Sequence, residues 1–425
     1  MKQKKTMSRV LIASLVGSAI EWFDYFLYGT VAALVFNQVF FVSESPTVGL
    51  MLAYASFALT FFIRPFGGII FSHIGDRVGR KKTLVITLSI MGLSTFAMGL
   101  LPTYQAIGIW APILLITLRL VQGLGIGGEW GGALLLAVEY APKEQRGFFG
   151  SVPQMGIPLG MVLGTLALSV MSLLPNDAFM SWGWRVPFIM SALLVVFGLW
   201  IRKGIDETPS FKDVKSRGAI PKLPIADTLK YHWREVLIAV GAKFVETAPF
   251  YIFSTFIVAY ATTNLGYTRT DTLNAVMIAT LVTTILIPLM GKLSDRIGRK
   301  PLYVFGTVAM ILYAFPYFWL IHQGSVLLLT LATIIGLGII WAPITAVLGT
   351  MFSEIFSAEV RYTGVSLGYQ IGAALAGGTA PLVAIALLAA FDNSYVPVAI
   401  YIIFTALVSL FAISMVKDRH NANLD

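Results

Sequence analysis

About twelve stretches of this 425-residue sequence are long and apolar enough to cross a lipid bilayer, for which roughly 20 residues suffice. Read against the polar breaks between them, they fall near 8–37, 47–72, 83–101, 110–138, 148–174 and 186–202, then 235–262, 272–291, 302–321, 326–352, 363–389 and 396–416. A backbone surrounded by hydrocarbon has no water to bond and must bond to itself, so these segments are expected as helices. The expected fold is all-α: a polytopic membrane protein of 12 transmembrane helices in two six-helix halves. The longest stretch outside the spans is polar and holds Pro209, Pro221 and Pro224, which divides the chain into a bundle at 1–202, a central loop at 203–234 and a second bundle at 235–425. Only 12% of the residues are charged, about half the share of a soluble chain. That supply cannot clothe two or three water-soluble domains. It excludes an ordinary cytosolic enzyme, a nucleic-acid-binding protein and a disordered scaffold. The first apolar run, Val10 to Phe36, exceeds the core of a cleavable signal, about 7–15 residues, and is read as a retained span. Cysteine is absent, so neither disulfides nor thiolate metal sites arise.

The net charge of +9 is explained by where the charges lie. Of 30 Lys and Arg residues, 25 fall on the side of the N-terminus, Arg185 and Arg269 on the other side, and Arg64, Arg119 and Lys243 inside spans. Excess Lys and Arg mark the cytoplasmic face, so both termini are expected in the cytoplasm. Anionic lipid, not nucleic acid, is the natural counterpart of such loops.

The two halves echo each other. Asp76-Arg77-Val78-Gly79-Arg80-Lys81 after the second span matches Asp295-Arg296-Ile297-Gly298-Arg299-Lys300 after the eighth, 219 residues on. Glu144-Gln145-Arg146 pairs with Glu359-Val360-Arg361, and Gln154-Met155-Gly156 with Gln370-Ile371-Gly372, at offsets of 215 and 216. Three echoes at nearly one period indicate a duplicated six-helix unit. Two such halves enclosing an axial cavity are the means by which a protein alternates access between the two sides of a membrane.

The repeated basic loop resembles the signature between the second and third helices of major facilitator transporters. Further stretches resemble the metabolite:proton symporter branch of that superfamily: Glu21-Trp22-Phe23-Asp24-Tyr25, Gly127-Gly128-Glu129-Trp130-Gly131-Gly132, Trp182-Gly183-Trp184-Arg185-Val186-Pro187-Phe188 and Asp206-Glu207-Thr208-Pro209. The resemblance covers the whole chain. It implies a bacterial inner-membrane carrier, working as a monomer without cofactor, that moves shikimate, 2-oxoglutarate, citrate and other organic acids, or proline and glycine betaine, with protons. It also implies that Asp76, Arg77, Arg80, Asp295, Arg296 and Arg299 latch the cytoplasmic helix ends, against the alternative that these charges serve topology alone. Four residues before Asp76 stands Ser72, where the superfamily pattern has glycine and where Gly291 obeys it; a looser helix contact is expected there.

Seven ionisable residues lie well inside spans: Glu21, Asp24, Arg64, Arg119, Glu129, Lys243 and Glu246. At about 2.5–3.5 kcal/mol each near the bilayer centre, the set would cost roughly 20 kcal/mol if unpaired, more than a typical folding stability of about 5–15 kcal/mol. These residues must face one another or a wet cavity. Glu21 and Asp24 share a helix face, with Tyr28 one turn on, and can face Arg64. Arg119, Gln122 and Glu129 form a drifting stripe on the fourth span. The functional reading gives the proton to Asp24, Glu21 and Glu129. It gives a substrate carboxylate to Arg119, whose planar fork donates two parallel hydrogen bonds. Arg64, Tyr28, Gln154, Lys243, Glu246, Gln370 and Trp341 complete the expected binding residues. The alternative is that the charges are permanent ion pairs between helices, and that Lys243 and Glu246 neutralise each other. The glycines from Gly123 to Gly132 are read as close helix packing and Pro153, Pro158, Pro343 and Pro381 as kinks. His73, His232, His322 and His420 lie at span ends or outside them, and no metal is expected.

The resulting expectation is a proton-coupled symporter for a small organic acid, not an enzyme. The rivals are a zwitterion symporter of the proline or betaine kind, a proton-coupled exporter of drugs or organic acids, and a transporter-like receptor, for which the 32-residue central loop leaves little room.

Overall fold

The computed structural model describes residues 2–78, 80–139, 141–203, 224–356 and 360–416. Eleven long apolar helices and one bent pair cross the molecule. We number them α1 (Leu11–Val39), α2 (Pro46–Phe71), α3 (Lys82–Leu100), α4 (Trp110–Leu135), α5 (Lys143–Met171), α6 (Asn176–Gly183 and Arg185–Ile201, bent by 42°), α7 (Trp233–Thr263), α8 (Arg269–Ile297), α9 (Arg299–Ile321), α10 (Val326–Ile355), α11 (Arg361–Ala390) and α12 (Val396–Ser414). Each expected span has its helix. The largest difference is at α6, expected over 186–202 and preceded by Asn176–Gly183 across its bend; the next is at α8, expected over 272–291 and observed to Ile297. Hydropathy reports the hydrocarbon depth, whereas the helix runs on through Lys292, Asp295 and Arg296, where polar side chains reach water or headgroups. Within the expected central loop, Pro224–Tyr231 forms a short helix, and 204–223 lies outside the described residues.

The packing repeats. α1 packs on α5, α2 on α4 and α3 on α6, while α7 packs on α11, α8 on α10 and α9 on α12. The halves meet chiefly through α5 against α8 and α2 against α11, which is one contact seen twice around a pseudo-twofold axis. One backbone irregularity repeats as well, whereas the π-helical turns Phe179–Gly183 of α6 and Ile334–Ile340 of α10 have no counterpart among the described residues. A π-helical turn, Ala32–Phe36, interrupts α1, and another, Ile252–Phe256, interrupts α7 at the corresponding place. A π turn carries one extra residue and is common at functional sites.

Burial separates the inner helices from the outer ones. The most apolar stretch of α1 is wholly buried and that of α7 is 83% buried, against 39% for α8 and α9. Large apolar side chains such as Leu93, Val196, Phe305, Leu312 and Phe411 are instead exposed on α3, α6, α9 and α12. An apolar girdle of this extent suits contact with lipid rather than water. Inside, close approach depends on missing side chains: a Cβ on Gly127 would overlap the carbonyl oxygen of Arg64, and one on Gly67 that of Leu124. The glycine-rich stretch of α4 therefore lets α2 lie directly on it, as small residues do in membranes, and fixes the height of Arg64. The helix contact at Gly291 is equally close, with Ser151 and the Gly147 carbonyl against it; the side chain of Ser72 lies outside the described residues.

Candidate functional site

Four helices of the first half bring their polar residues to one buried cluster. Asp24 of α1 is fully buried, and its Oδ1 accepts a hydrogen bond from Ser191 Oγ of α6 at 2.5 Å. Thr95 of α3 lies beside the same carboxyl and accepts from Gln122 Nε2 of α4 at 2.8 Å. Gln122 in turn accepts from Arg119 Nη1. A polar chain therefore runs Arg119–Gln122–Thr95 and adjoins the Asp24–Ser191 pair, the Thr95 hydroxyl itself donating to the Met91 carbonyl at 3.0 Å. Asp24, for which Arg64 is a possible partner by helix geometry, turns to the Ser191 hydroxyl.

Tyr25 lies between two guanidiniums. The guanidinium carbon of Arg64 is 4.3 Å from the ring centroid of Tyr25 and that of Arg119 is 4.6 Å away. Arg119 also lies 3.8 Å from the centroid of Tyr28, whose hydroxyl meets Ser56 Oγ at 2.6 Å; Arg64 lies 4.3 Å from that of Phe61. The ring faces offset part of the cost of burying the cations. Among the described residues, Nε and Nη2 of both Arg64 and Arg119 have no hydrogen-bond partner. Unused donors on a buried cation are costly, and on each arginine they comprise two N–H-bearing nitrogens suited to a carboxylate.

The second half supplies an ion pair. Lys243 and Glu246 of α7 pair with each other, as the local-pair alternative expected. Glu246 Oε2 also accepts from Thr247 Oγ1 at 2.8 Å, Oε1 accepts from Thr345 Oγ1 at 3.1 Å, and the Glu246 carbonyl accepts from Trp341 Nε1 at 2.5 Å. Between the halves lies a cavity lined by Trp22, Arg64, Lys243, Glu246, Trp341 and Tyr369 among others, with about 10 Å³ for the centre of a water molecule, barely one water's worth.

Both ends of this cavity are shut. Towards the basic loops, Gln154 Nε2 donates to the Thr345 carbonyl at 3.2 Å and Gln370 Nε2 to that of Gly127 at 3.5 Å. These two glutamines hold the halves together and are not among the cavity residues. Asp295 accepts from the backbone N–H of Gly147 at 2.7 Å and of Phe148 at 3.0 Å, and pairs with Arg299 at 2.9 Å, which reaches Glu354 at 3.3 Å. Arg296 is exposed and makes no such contact among the described residues, and the side chains of Asp76, Arg77 and Arg80 lie outside the described residues. At the opposite end the closure is mostly aromatic: Tyr251 packs on Phe26, Phe57 and Phe61, with a bond from Tyr54 Oη to the Thr255 carbonyl at 3.3 Å. Glu21 is buried three residues before Asp24. Glu129 is placed away from Asp24, accepting from Thr87 Oγ1 of α3 at 2.7 Å.

The Major Facilitator Superfamily model matches residues 14–368 and 239–423. The chain belongs to this superfamily. It is a multi-pass membrane transporter, not an enzyme. Among its relatives, the shikimate transporter of Escherichia coli (strain K12) is 39% identical over 417 residues, covering 97% of this chain and 95% of that protein. The inner membrane metabolite transport protein YhjE of the same organism is 41% identical over 386 residues, covering 89% and 87%. The proline/betaine transporter of that strain is 35% identical over 429 residues, covering 98% and 85%. Among solved structures, the proton:xylose symporter XylE bound to 6-bromo-6-deoxy-D-glucose superposes with a TM-score of 0.77 over 99% of this chain and 98% of that one, at 18% identity, a likeness of fold.

Within this member of the superfamily, residue types alone did not single out Ser191, Thr95, Thr345, Trp130 or Tyr369 as functional. Hydroxyls inside spans are ordinary packing residues. Trp130 and Tyr369, however, adjoin Glu129 and Gln370, both of them expected site residues.

Proposed function

We propose that this transporter is a proton-coupled symporter that imports a small organic acid by alternating access across the bacterial inner membrane, with both termini in the cytoplasm. The observation that carries the reading is the pair of buried guanidiniums flanking Tyr25 with their Nε and Nη2 donors unused. A solute carboxylate supplies what those donors lack. The chain from Arg119 through Gln122 to Thr95, which adjoins Asp24, supports coupling: a carboxylate that draws Arg119 off Gln122 alters the polar surroundings of Asp24, which then takes up the proton. One proton carried with one carboxylate moves no net charge, so the pH difference is the drive, and each pH unit, about 1.4 kcal/mol, supports roughly ten-fold accumulation. No cofactor is needed. The 39% identical shikimate transporter agrees with an acid as cargo. A zwitterion is the second reading, favoured by the presence of both charge signs at Lys243 and Glu246 beside the cavity and by the proline/betaine relative.

The test is uptake by purified protein in proteoliposomes under an inward proton gradient, with labelled shikimate, 2-oxoglutarate, citrate, proline and glycine betaine and an uncoupler control. Uncoupler-sensitive accumulation of an acid is expected. Accumulation of proline or betaine alone selects the second reading. Faster exit of a preloaded compound under the same gradient overturns import.

A further inference from the structure

Between the cavity and the basic-loop end lies a closed ring of contacts that joins the halves. Glu246 pairs with Lys243. The Lys243 ammonium sits 3.6 Å from the ring centroid of Tyr369 on α11. Tyr369 is stacked on Trp130 of α4, with centroids 3.5 Å apart and planes 22° from parallel. Trp130 Nε1 donates to Gln154 Oε1 of α5 at 3.0 Å, and Gln154 donates to the Thr345 carbonyl. Thr345 Oγ1 closes the ring on Glu246. Lys243 and Tyr369 line the cavity, whereas Trp130 and Gln154 stand behind them.

The lysine stem has little freedom. A Cβ on Gly372, one turn from Tyr369, would meet the Val240 carbonyl oxygen at 2.8 Å and crowd Lys243 Cβ, so α11 lies directly on α7 there. The head alone can move, and it has two attractions: the carboxylate of Glu246 and the face of Tyr369. A cation over a ring contributes about 0.5–2 kcal/mol, more as water is excluded. An anion arriving in the cavity competes for the same ammonium.

We propose that Tyr369 is a positioning residue through which Lys243 controls the Trp130–Tyr369 stack, so that a solute carboxylate drawing the ammonium off the ring loosens the contact that must part for release towards the basic loops. The ligand class in this statement rests on the organic-acid reading above; the link from Lys243 to the stack does not.

The chain has no cysteine, so one introduced thiol is a unique probe. Ser366 of α11 is buried against Gly131 of α4, closer to the basic-loop end than Tyr369. In the full-length Ser366→Cys protein in lipid nanodiscs, the rate of labelling by a charged maleimide reports parting of the halves at that end. Tyr369→Leu is expected to raise the solute-free rate at least five-fold, and Tyr369→Phe, which keeps the ring, to leave it unchanged. The double variant Lys243→Met/Glu246→Gln, which leaves no unpaired charge, is expected to raise it similarly and to add nothing in the Tyr369→Leu background. Should Tyr369→Leu not give a monodisperse protein, Trp130→Leu carries the same expectation from the other half. A parental rate in the Lys243/Glu246 variant, or effects that multiply, overturns the link. Shikimate and the other acids of the panel are then added to the parent, where at least one is expected to speed labelling, and to the Tyr369→Leu variant, where none is. If the variants behave as stated but no acid alters the parental rate, the link stands and the carboxylate as its trigger is overturned.

Discussion

Asp295 of α8 caps the first turn of α5, accepting the backbone N–H of Gly147 at 2.7 Å and that of the next residue at 3.0 Å. A carboxylate from one half thus satisfies two of the open donors at a helix N-terminus of the other. With Gln154, Gln370 and the Trp130–Tyr369 stack, it makes the basic-loop end of the interface largely hydrogen-bonded. The opposite end rests chiefly on Tyr251 and its phenylalanine neighbours, contacts without fixed donors. Opening towards the basic loops must break directional bonds, and opening the other way mainly slides rings apart.

Asp295→Ala is accordingly expected to favour opening at the basic-loop end. Hydrogen bonds to a charged group contribute about 1.5–3 kcal/mol, so the open population should rise about ten-fold or more. Ser151, buried against Gly291, offers the reporter: a Ser151→Cys thiol should label correspondingly faster. An unchanged rate would remove Asp295 from the latch.

Asp24→Asn is expected to abolish proton-driven accumulation while sparing exchange of internal for external solute. The amide keeps the shape and can still meet Ser191, but it cannot cycle a proton. Counterflow and gradient-driven uptake, measured on the same proteoliposomes, separate the two. Accumulation at the parental level would take the proton away from Asp24.

Arg119→Lys should raise the KM for a carboxylate solute about ten-fold or more, since a point charge replaces a planar fork and no longer reaches Gln122 in the same geometry. A zwitterion carried mainly by the Lys243–Glu246 pair would show a smaller change. Unaltered affinity for every acid would assign the carboxylate elsewhere, with Arg64 as the next candidate.

Gly127→Val should be severe without touching any charge. The new side chain overlaps the Arg64 carbonyl, and overpacking of a tight contact costs about 1–3 kcal/mol. The melting temperature in detergent should fall, and uptake should be lost with it because Arg64 is displaced. A variant of parental stability and activity would show that α2 does not need this close approach.

Much of this architecture was legible because the membrane imposes two simple rules. A run of apolar residues must be a helix, and its flanking Lys and Arg report which side it ends on; every expected span has its helix. The duplication was visible in the DRxGRK loops and reappears as matched packing. Asp24, Arg119, Lys243 and Glu246 stood out because an ion in hydrocarbon demands an explanation. Their partners did not. Ser191, Thr95 and Thr345 each bear a hydroxyl that a helix can satisfy on its own carbonyls, so nothing local marks them as ligands. Asp24 also turned to Ser191 rather than Arg64, because the direction a side chain takes depends on which helix leans closest, and here α2 is held by Gly67 and Gly127 at a height that sends Arg64 to the aromatic rings. Gln154 and Gln370 were legible as a pair from their spacing, but spacing cannot distinguish a residue that faces a cavity from one that faces the other half.

The π turns at Ala32–Phe36 and Ile252–Phe256 have a historical consequence. Each is the trace of one residue inserted into a helix, and two unrelated insertions would have no reason to fall 220 positions apart in a chain whose basic loops repeat at 219. The simpler account is a single insertion older than the duplication. The ancestral six-helix unit, before it had a second copy to enclose anything with, already carried a break towards the end of its first helix, and both descendants inherited it.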